Sequence, residues 1–353
     1  MEKELLDEIL ARPDDDDPRV VYADWLVSRG DPRGEFIHIQ CQRGGGSTRR
    51  VGRWANMPDS ELGTREQELL KKHEKEWIRP FYGRLRPVWR RGFIDYVSLN
   101  GVQFVEFMTE LIERAPLAFF DLRKVTSGHC DAMAAAPIMR GARRLSLAIP
   151  KVTARSLKLL ASPHLSGLRR LRVDLMYGNT GIEILREATG LTSLEHLDLS
   201  NTYGYVPGGR EVYHALTAKQ LDAITAGPTF ARLGSFTFEC HNKVADCVPE
   251  LLSRGTSLRT LSVQNCGLPD QSIAALLSAP GLAQLEEVHL VGNELGPQTL
   301  AVLTGARPPP SLKRLNIVGI GVNPEARRRE PFGEWTAALT GRYAVAPLHF
   351  FRM

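Results

Sequence analysis

The stretch "LEEVHLVGNELGPQTLAVL", residues 285–303, carries the pattern from which the fold is predicted. Leu285, Val288 and Leu290 form an L-x-x-L-x-L type of frame, whose alternating apolar residues are typical of a short strand with one buried face. The residues after this frame begin with a turn and continue with the apolar spacing of a helix. This one stretch therefore predicts a strand, a turn and a helix.

The same frame recurs along the second two thirds of the chain. Clear copies are "LRRLRVDL" (168–175), "LEHLDLSN" (194–201), "LRTLSVQN" (258–265) and "LKRLNIVG" (312–319), and weaker copies begin at 117, 142 and 233. The last apolar residues of the eight frames are Leu122, Leu147, Val173, Leu199, Phe238, Val263, Leu290 and Ile317. Their separations of 25, 26, 26, 39, 25, 27 and 27 residues include one long step, which predicts an insertion within 201–230.

Consecutive copies of the unit predict parallel strands in one sheet, joined by right-handed crossovers through the helices. Strands stack about 4.8 Å apart, whereas packed helices need about 8 to 10 Å between their axes. The helices must then lie outside, and the sheet must line a concave surface. The predicted fold class is α/β, as a horseshoe-shaped solenoid.

These frames, and above all the phase of Asn293, Leu295 and Gly296, resemble leucine-rich repeats of the ribonuclease-inhibitor type. The resemblance implies that the residue at the Asn293 position turns its side chain inward and bonds to backbone that the bend leaves unpaired. We call this the ladder position. The chain departs from the family pattern there, because the equivalent residues are Met176, Thr202, His241, Cys266 and Ile320.

The N-terminal residues predict a small helical unit. Asp17 followed by Pro18 is a helix start, Gly30 is a helix stop, and Asp31 with Pro32 repeats the start signal. Two short helices are expected at 18–29 and 32–42, and "EKELLDEILA" adds a third. The wording "LLDEILARPDDDDPRVVYADWLVSRGDPRGEFIHIQ" resembles a bacterial repeat-companion domain, found at the N-termini of repeat proteins. That resemblance implies an architecture and no biochemical activity.

Four segments follow from these patterns. We expect a helical repeat-companion domain at 1–43, a basic linker and connecting helix at 44–83, the leucine-rich-repeat solenoid at 84–325, and a C-terminal cap at 326–353. The composition, 43% hydrophobic and 24% charged over 353 residues, is that of a soluble globular protein. An acidic start and the lack of a long apolar run favour a cytoplasmic protein without a membrane partner.

Enzyme chemistry has little support in the sequence. The chain lacks the common phosphate-binding, dinucleotide-binding, zinc-protease and serine-hydrolase motifs. The five cysteines form no C-x-x-C pair and are expected to be reduced thiols; a metal held by Cys240, His241 and Cys247 is the less favoured alternative. Asp24, Arg33 and Glu35 could form a catalytic cluster, but a pair of Asp and Arg that clamps two helices at the corner is the favoured interpretation. We expect no catalytic residue, cofactor or metal.

The predicted binding surface is the concave face of the early repeats, where residues flanking the apolar frame alternate away from the core. Arginine and aromatic residues are enriched at interface hot spots. The candidate partner-binding residues are Tyr96, Phe119, Arg123, Arg144, Arg170, Arg172, His196 and Asp198. We expect a monomeric scaffold that binds a partner protein, to which an acidic surface would be complementary.

Two alternative functions stay open. The first is regulation of a partner enzyme or GTPase, by analogy with other repeat proteins. The second is nucleic-acid binding through residues 43–91, which carry thirteen Lys and Arg against six Asp and Glu. A third possibility also stays open. The predicted concave surface would then be an ordinary solvent-exposed surface, on which Asp121, Asp174 and Asp198 neutralise the charges of the arginines.

Deleting "TYGYVPGGREVY", residues 202–213, should leave a folded repeat array, because the frames resume their spacing after the insertion. Circular dichroism and thermal unfolding of the deletion variant would check this expectation. Global unfolding would instead show that the inserted residues belong to the core.

Overall fold

The computed structural model describes residues 1–12, 15–43, 61–85, 87–114, 119–175, 181–201, 215–305 and 309–317. Over these ranges the protein is a mixed α/β chain with a ten-stranded sheet whose strand order follows the chain. The chain divides into two compact units, residues 1–123 with 135–145, and residues 124–134 with 146–353. The predicted C-terminal cap at 326–353 lies outside the described residues, as does most of the insertion.

The first unit contains the N-terminal helices and the first strands. Its helices are α1 (Glu2–Ala11), α2 (Asp17–Val27), α3 (Pro32–Gln42), α4 (Glu61–Trp77) and α5 (Gly101–Arg114), with 3-10 helices at Arg79–Phe81 and Pro137–Gly141. Its strands are β1 (Val88–Arg90), β2 (Phe93–Asn100) and β3 (Phe119–Arg123). Strand β1 is antiparallel to β2, and β3 runs parallel to β2.

The second unit repeats a strand and a helical return. The strands are β4 (Arg144–Ala148), whose first two residues belong to the first unit, β5 (Arg170–Asp174), β6 (His196–Asp198), β7 (Ser235–Glu239), β8 (Thr260–Gln264), β9 (Glu287–His289) and β10 (Arg314–Asn316). From β5 to β10, each strand pairs in parallel with the next.

The returns between these strands are short helices. The α-helices are α6 (Ser127–Ala135), α7 (Ala154–Leu157), α8 (Ala218–Thr225), α9 (Pro228–Ala231), α10 (Leu251–Arg254), α11 (Asp270–Ser278) and α12 (Pro297–Gly305). The 3-10 helices are Lys158–Ala161, Pro163–Leu165, Ile182–Glu187, Val248–Glu250 and Pro280–Gln284.

The apolar frame read from the sequence is the buried side of the strands. Seven residues that end a frame have 0% of their surface exposed: Leu122, Leu147, Val173, Leu199, Phe238, Val263 and Leu290. The eighth, Ile317, is half-buried. Burial of an aliphatic side chain contributes about 1.5 to 3 kcal/mol, so this column is a large part of the core.

The corner between α2 and α3 forms largely as the sequence predicts. Gly30 takes a left-handed φ of 71°, and the Asp31 carboxylate accepts a hydrogen bond from the Arg33 amide at 2.8 Å. The start of α2 differs from the prediction that Asp17 caps it. The helix already includes Asp17, whose amide donates to the Asp15 carboxylate at 3.0 Å. The expected cap was wrong because α2 begins one residue earlier than expected, so Asp17 lies inside its first turn.

The Asn293 side chain turns into the second unit and bonds only to backbone. Its Oδ1 atom accepts hydrogen bonds from the amides of Cys266 (3.1 Å) and Leu268 (3.2 Å). Its Nδ2 group donates to the carbonyls of Val263 (2.8 Å) and Leu290 (2.9 Å). The side chain thus pairs four main-chain groups that would otherwise be buried without partners.

One other ladder position directs a donor in the same way: His241 Nε2 lies 2.6 Å from the carbonyl of Leu199, the last apolar residue of the preceding strand. The Cys266 thiol differs, because it lies 3.1 Å from the Gln264 carbonyl and 4.0 Å from the Phe238 carbonyl, and its single proton serves the nearer acceptor. Three further ladder positions lie outside the described residues: Met176, Thr202 and Ile320.

The residue before each of these ladder positions has left-handed backbone. The φ values are 61° at Cys240, 50° at Asn265 and 76° at Gly292. A Cβ atom at Gly292 would stand 2.0 Å from the Oδ1 atom of Asn265 in the preceding unit. Cys240 and Asn265 tolerate such a φ with a side chain, so what distinguishes position 292 is the Asn265 carboxamide that occupies the place of a Cβ atom.

Replacing Asn293 with alanine should lower the free energy of unfolding by about 3 kcal/mol, because four buried backbone groups lose their partner. Chemical denaturation of the full chain would measure the change. Asn316→Ala, on the half-buried face of β10, is the matched control and should change stability little. Equal stability of the two variants would contradict the structural role of Asn293.

Candidate functional site

A row of six side chains, which we call the polar row, crosses the second unit. Parallel pairing places one residue from each strand β5 to β10 next to its neighbour: Arg170, His196, Ser235, Thr260, Glu287 and Arg314. The residues that follow them in the strands are buried, and adjacent strand residues point to opposite faces. The polar row therefore lies on the face opposite the core.

The first strand of the polar row carries two arginines in different electrostatic settings. Arg170 is exposed, and within the described ranges no carboxylate forms an ion pair with it. Arg172 lies 3.8 Å from Asp174 and 3.5 Å from Asp198. Asp198 is also tied to its own strand end, because it accepts the Ser200 amide at 2.9 Å. Arg172 is therefore partly neutralised, whereas Arg170 keeps its charge available on this face.

His196 extends the basic end of the polar row onto β6. Its side chain is 36% exposed and stands in register with Arg170. Its imidazole Nε2 lies 3.9 Å from the carboxylate of Glu195. Arg170, Arg172, His196 and Asp198 are thus brought together as the sequence analysis expects of neighbouring repeats.

At the β9 and β10 end of the polar row, the charged side chains pair with one another. Glu287 accepts Arg314 at 2.9 Å and lies 3.4 Å from His289. Between the two ends, Ser235 and Thr260 contribute hydroxyl groups without charge. The available positive charge of the polar row is thus at its β5 end.

Three other predicted residues surround Asp121 in the first unit. Tyr96 and Phe119 are in register on β2 and β3, with ring centroids 4.7 Å apart in an edge-to-face arrangement. The Tyr96 hydroxyl donates to Asp121 Oδ2 at 3.2 Å, and Arg123 donates to the same atom at 3.0 and 3.1 Å. Ser98 adds a fourth hydrogen bond to this atom at 3.0 Å. We call Tyr96, Ser98, Phe119, Asp121 and Arg123 the aromatic corner.

The central role of Asp121 was missed by the sequence analysis, which treated it only as a neutralising charge. Its side chain is 14% exposed, while that of Arg123 is 62% exposed. Burial, and then the Asp121 charge, raise the pKa of Tyr96 above its ordinary value. Position 121 stands two residues before Arg123 on the same strand face, and this spacing was the available signal.

Arg144, the remaining candidate, is an exposed residue at the start of β4 in the first unit. Burial raises the pKa of Asp95, and the nearby positive charges of Arg90 and Arg144 partly oppose that rise. The assignment of Arg144 to the same partner-binding surface as Arg170 and Arg172 stays a prediction.

The cysteines are held in unreactive form. All five are free thiols, and burial raises the pKa of Cys41 to about 11 and that of Cys130 to about 12. Thiolate, the nucleophilic form, is therefore scarce at neutral pH. His241 is equally occupied, since backbone groups bond to both of its ring nitrogens. Within the described ranges, no group of three or more His, Cys, Asp or Glu is arranged to hold a metal ion.

No protein-family model matches this chain, and no curated protein matches it. Across the helices that the structure describes, none has both the length and the apolar character needed to cross a membrane.

The N-terminal cluster considered for catalysis consists of helix contacts. Asp24 of α2 lies 2.9 Å from His38 Nε2 of α3, rather than forming the expected pair with arginine. Glu35 accepts two hydrogen bonds from Arg65 of α4, at 2.7 and 2.8 Å, and the pair lowers the pKa of the Glu35 carboxyl. Arg33 stacks over the Phe93 ring at 5.0 Å. Each side chain therefore joins two elements of the first unit.

Asp24→Asn should lower the free energy of unfolding by up to about 1 kcal/mol, because the contact with His38 is exposed. Thermal unfolding would measure this change, and binding of a partner should not change. A variant with an unchanged melting temperature that no longer binds would assign Asp24 to recognition instead.

Proposed function

We propose that this chain is a non-enzymatic protein-binding module, in which the polar row of the second unit and the aromatic corner of the first unit are each a separate contact surface for a partner protein. The observation that carries the proposal is the register of the polar row, which aligns six polar side chains on consecutive parallel strands. Such a surface provides many contacts without a deep pocket, as extended repeat surfaces do.

The proposed architecture is a leucine-rich-repeat solenoid with an N-terminal repeat-companion domain. It is supported by the spacing of the frames, by the parallel pairing of β5 to β10, and by the shared geometry of the ladder positions His241 and Asn293. In this architecture the polar row would face the concave side. The proposed location of the protein is the cytoplasm.

The chemistry of the surface favours an acidic partner. Arg170 is exposed at the β5 end of the polar row, and the Arg123 side chain is 62% exposed although it pairs with Asp121. The aromatic rings of Tyr96 and Phe119 stand beside Arg123 and offer apolar contact area. Arginine and tyrosine together are the residue types that contribute most to binding at protein interfaces.

The double variant Arg170→Glu with Arg172→Glu should weaken binding of the partner by about 1 kcal/mol or more, roughly fivefold in Kd. The partner would first be isolated on the wild-type chain from the native host, then purified and measured by calorimetry at physiological salt. Arg170 is exposed, and its replacement should alter the melting temperature little. A glutamate at 172 would stand beside Asp174 and Asp198 and should lower the melting temperature, so the single variant Arg170→Glu is measured alongside the double variant.

The matched control is Lys158→Glu with Lys219→Glu, which makes the same change in charge at exposed positions on helices. Loss of binding in both double variants would indicate a general effect of net charge. Normal binding by the arginine variant would exclude the polar row and make the insertion or the N-terminal unit the better candidate.

Experiments with the same purified partner distinguish the proposed function from the two alternatives, regulation of a partner enzyme and binding of nucleic acid. Regulation of an enzyme or GTPase would appear as a change in the partner's activity when the chain is added. Binding of nucleic acid through residues 43–91 would appear as affinity that falls steeply with salt. Much of that basic segment, 44–60, lies outside the described residues.

A further inference from the structure

His241 connects the two chain segments that flank the insertion. Leu199 and Leu216 stand on either side of residues 202–214, and both bond to this one imidazole ring. The Leu216 amide donates to Nδ1 at 3.0 Å, so that nitrogen carries no proton. The ring is therefore the neutral tautomer with hydrogen on Nε2, which donates to the Leu199 carbonyl at 2.6 Å.

Neighbouring contacts hold the same two segments. The Asn201 amide donates to the Glu239 carbonyl at 2.9 Å, and Thr217 forms a parallel bridge with Lys243. Residues 239–243 thus contact the chain on both sides of the insertion. Within this set of contacts, His241 is the member whose hydrogen-bonding capacity changes with pH.

The surroundings of the ring oppose its protonation. His241 is 0% exposed, and burial lowers its pKa to about 4, against the smaller opposing effects of the Leu199 carbonyl and the Asp198 carboxylate. The Phe238 ring lies 6.4 Å away. The other titratable neighbours are the thiols of Cys240 and Cys266, whose pKa values burial raises, and the carboxylate of Glu239, which acts on both thiols.

We propose that His241 is an acid-sensitive latch, which holds Leu199 and Leu216 together only while its ring is neutral. A proton on Nδ1 would turn that nitrogen into a donor facing the Leu216 amide, which is also a donor. The contact would become repulsive, while the Nε2 bond to Leu199 would persist. Acid would therefore release the Leu216 side first. This inference does not depend on the proposed binding function.

The direction of the pH effect on the latch, and the pH range over which it occurs, follow from the difference in the His241 pKa between the two forms. In an open form in which the Leu216 contact is broken and water reaches the ring, the histidine pKa is the ordinary value of about 6.5, whereas the latched ring has a pKa of about 4. The open form binds more protons below pH 6.5, so the latch is stable at neutral pH and loses stability as pH falls toward 4. When the pH falls from 7 to 5, the equilibrium constant for opening of the latch should increase roughly 20-fold.

Hydrogen exchange of the full chain at pH 7, 6 and 5, corrected for intrinsic exchange rates, tests the latch. The protection factor of the Leu216 amide should fall roughly 20-fold from pH 7 to pH 5. The amides of Cys266 and Leu268 are the internal control, because they bond to Asn293, an amide side chain at the same ladder position that does not titrate. Their protection should stay constant over this range.

The variant His241→Asn provides the second arm. It places at 241 the side chain found at 293, and should remove the pH dependence at Leu216 while keeping a bond to the Leu199 carbonyl. Constant protection of Leu216 in the wild type, or an equal fall at Cys266 and Leu268, would overturn the proposal. If His241→Asn does not fold, the comparison of amides within the wild-type chain still decides the question.

Discussion

The second unit depends on one repeated interaction, a buried side chain that bonds to the carbonyl of the last apolar residue in the preceding strand. Asn293 and His241 each make it, toward Val263 and Leu199 respectively. The chain must leave each strand and turn there, and turning leaves buried main-chain groups without a partner. Water does not reach these positions, since both residues are at most 1% exposed. Without a side-chain partner, each turn would bear the desolvation cost of its backbone.

That constraint explains how the candidate surface is positioned. Once the strand ends are fixed, parallel pairing sets the register, and the register sets which residues stand side by side. Arg170 and His196 are neighbours for this reason, although 26 residues separate them in the chain. The aromatic corner follows the same rule in the first unit, where the pairing of β2 with β3 brings Tyr96 against Phe119. Asp121 then binds the polar atoms of the corner together through one carboxylate oxygen.

Much of the strand pattern could be predicted from the sequence, because burial follows an alternation that is visible in the residues themselves. The frame residues Leu122 to Leu290 are the clearest example, and the Gly30 to Asp31 corner is another. Side-chain partners could not be predicted in the same way. Asp24 bonds to His38 and not to an arginine, and Asp17 lies inside α2 instead of capping it. Such choices depend on distances between elements, which periodicity does not contain.

The ladder residue His241 shows a different limit of sequence analysis. It looked like a departure from the repeat pattern, yet its ring makes the same contact with the preceding strand that Asn293 makes. An imidazole and a carboxamide can replace each other there because both present a donor and an acceptor. Residue identity was thus a poorer guide than hydrogen-bonding capacity. His241 also accepts the amide of Leu216, as Asn293 accepts the amides of Cys266 and Leu268.

The close approach of Gly292 to Asn265 means that neighbouring repeats cannot vary independently. A side chain at 292 is blocked by the Asn265 carboxamide, which is itself held at 2.7 Å from Glu239 in the unit before. Three successive repeats are therefore coupled through positions that touch neither the core frame nor the polar row. A substitution at 292 would become tolerable only after a smaller residue had appeared at 265. In a lineage of such chains, changes at these positions should occur in a fixed order, and a repeat copied from elsewhere in the array would fit only beside a compatible neighbour.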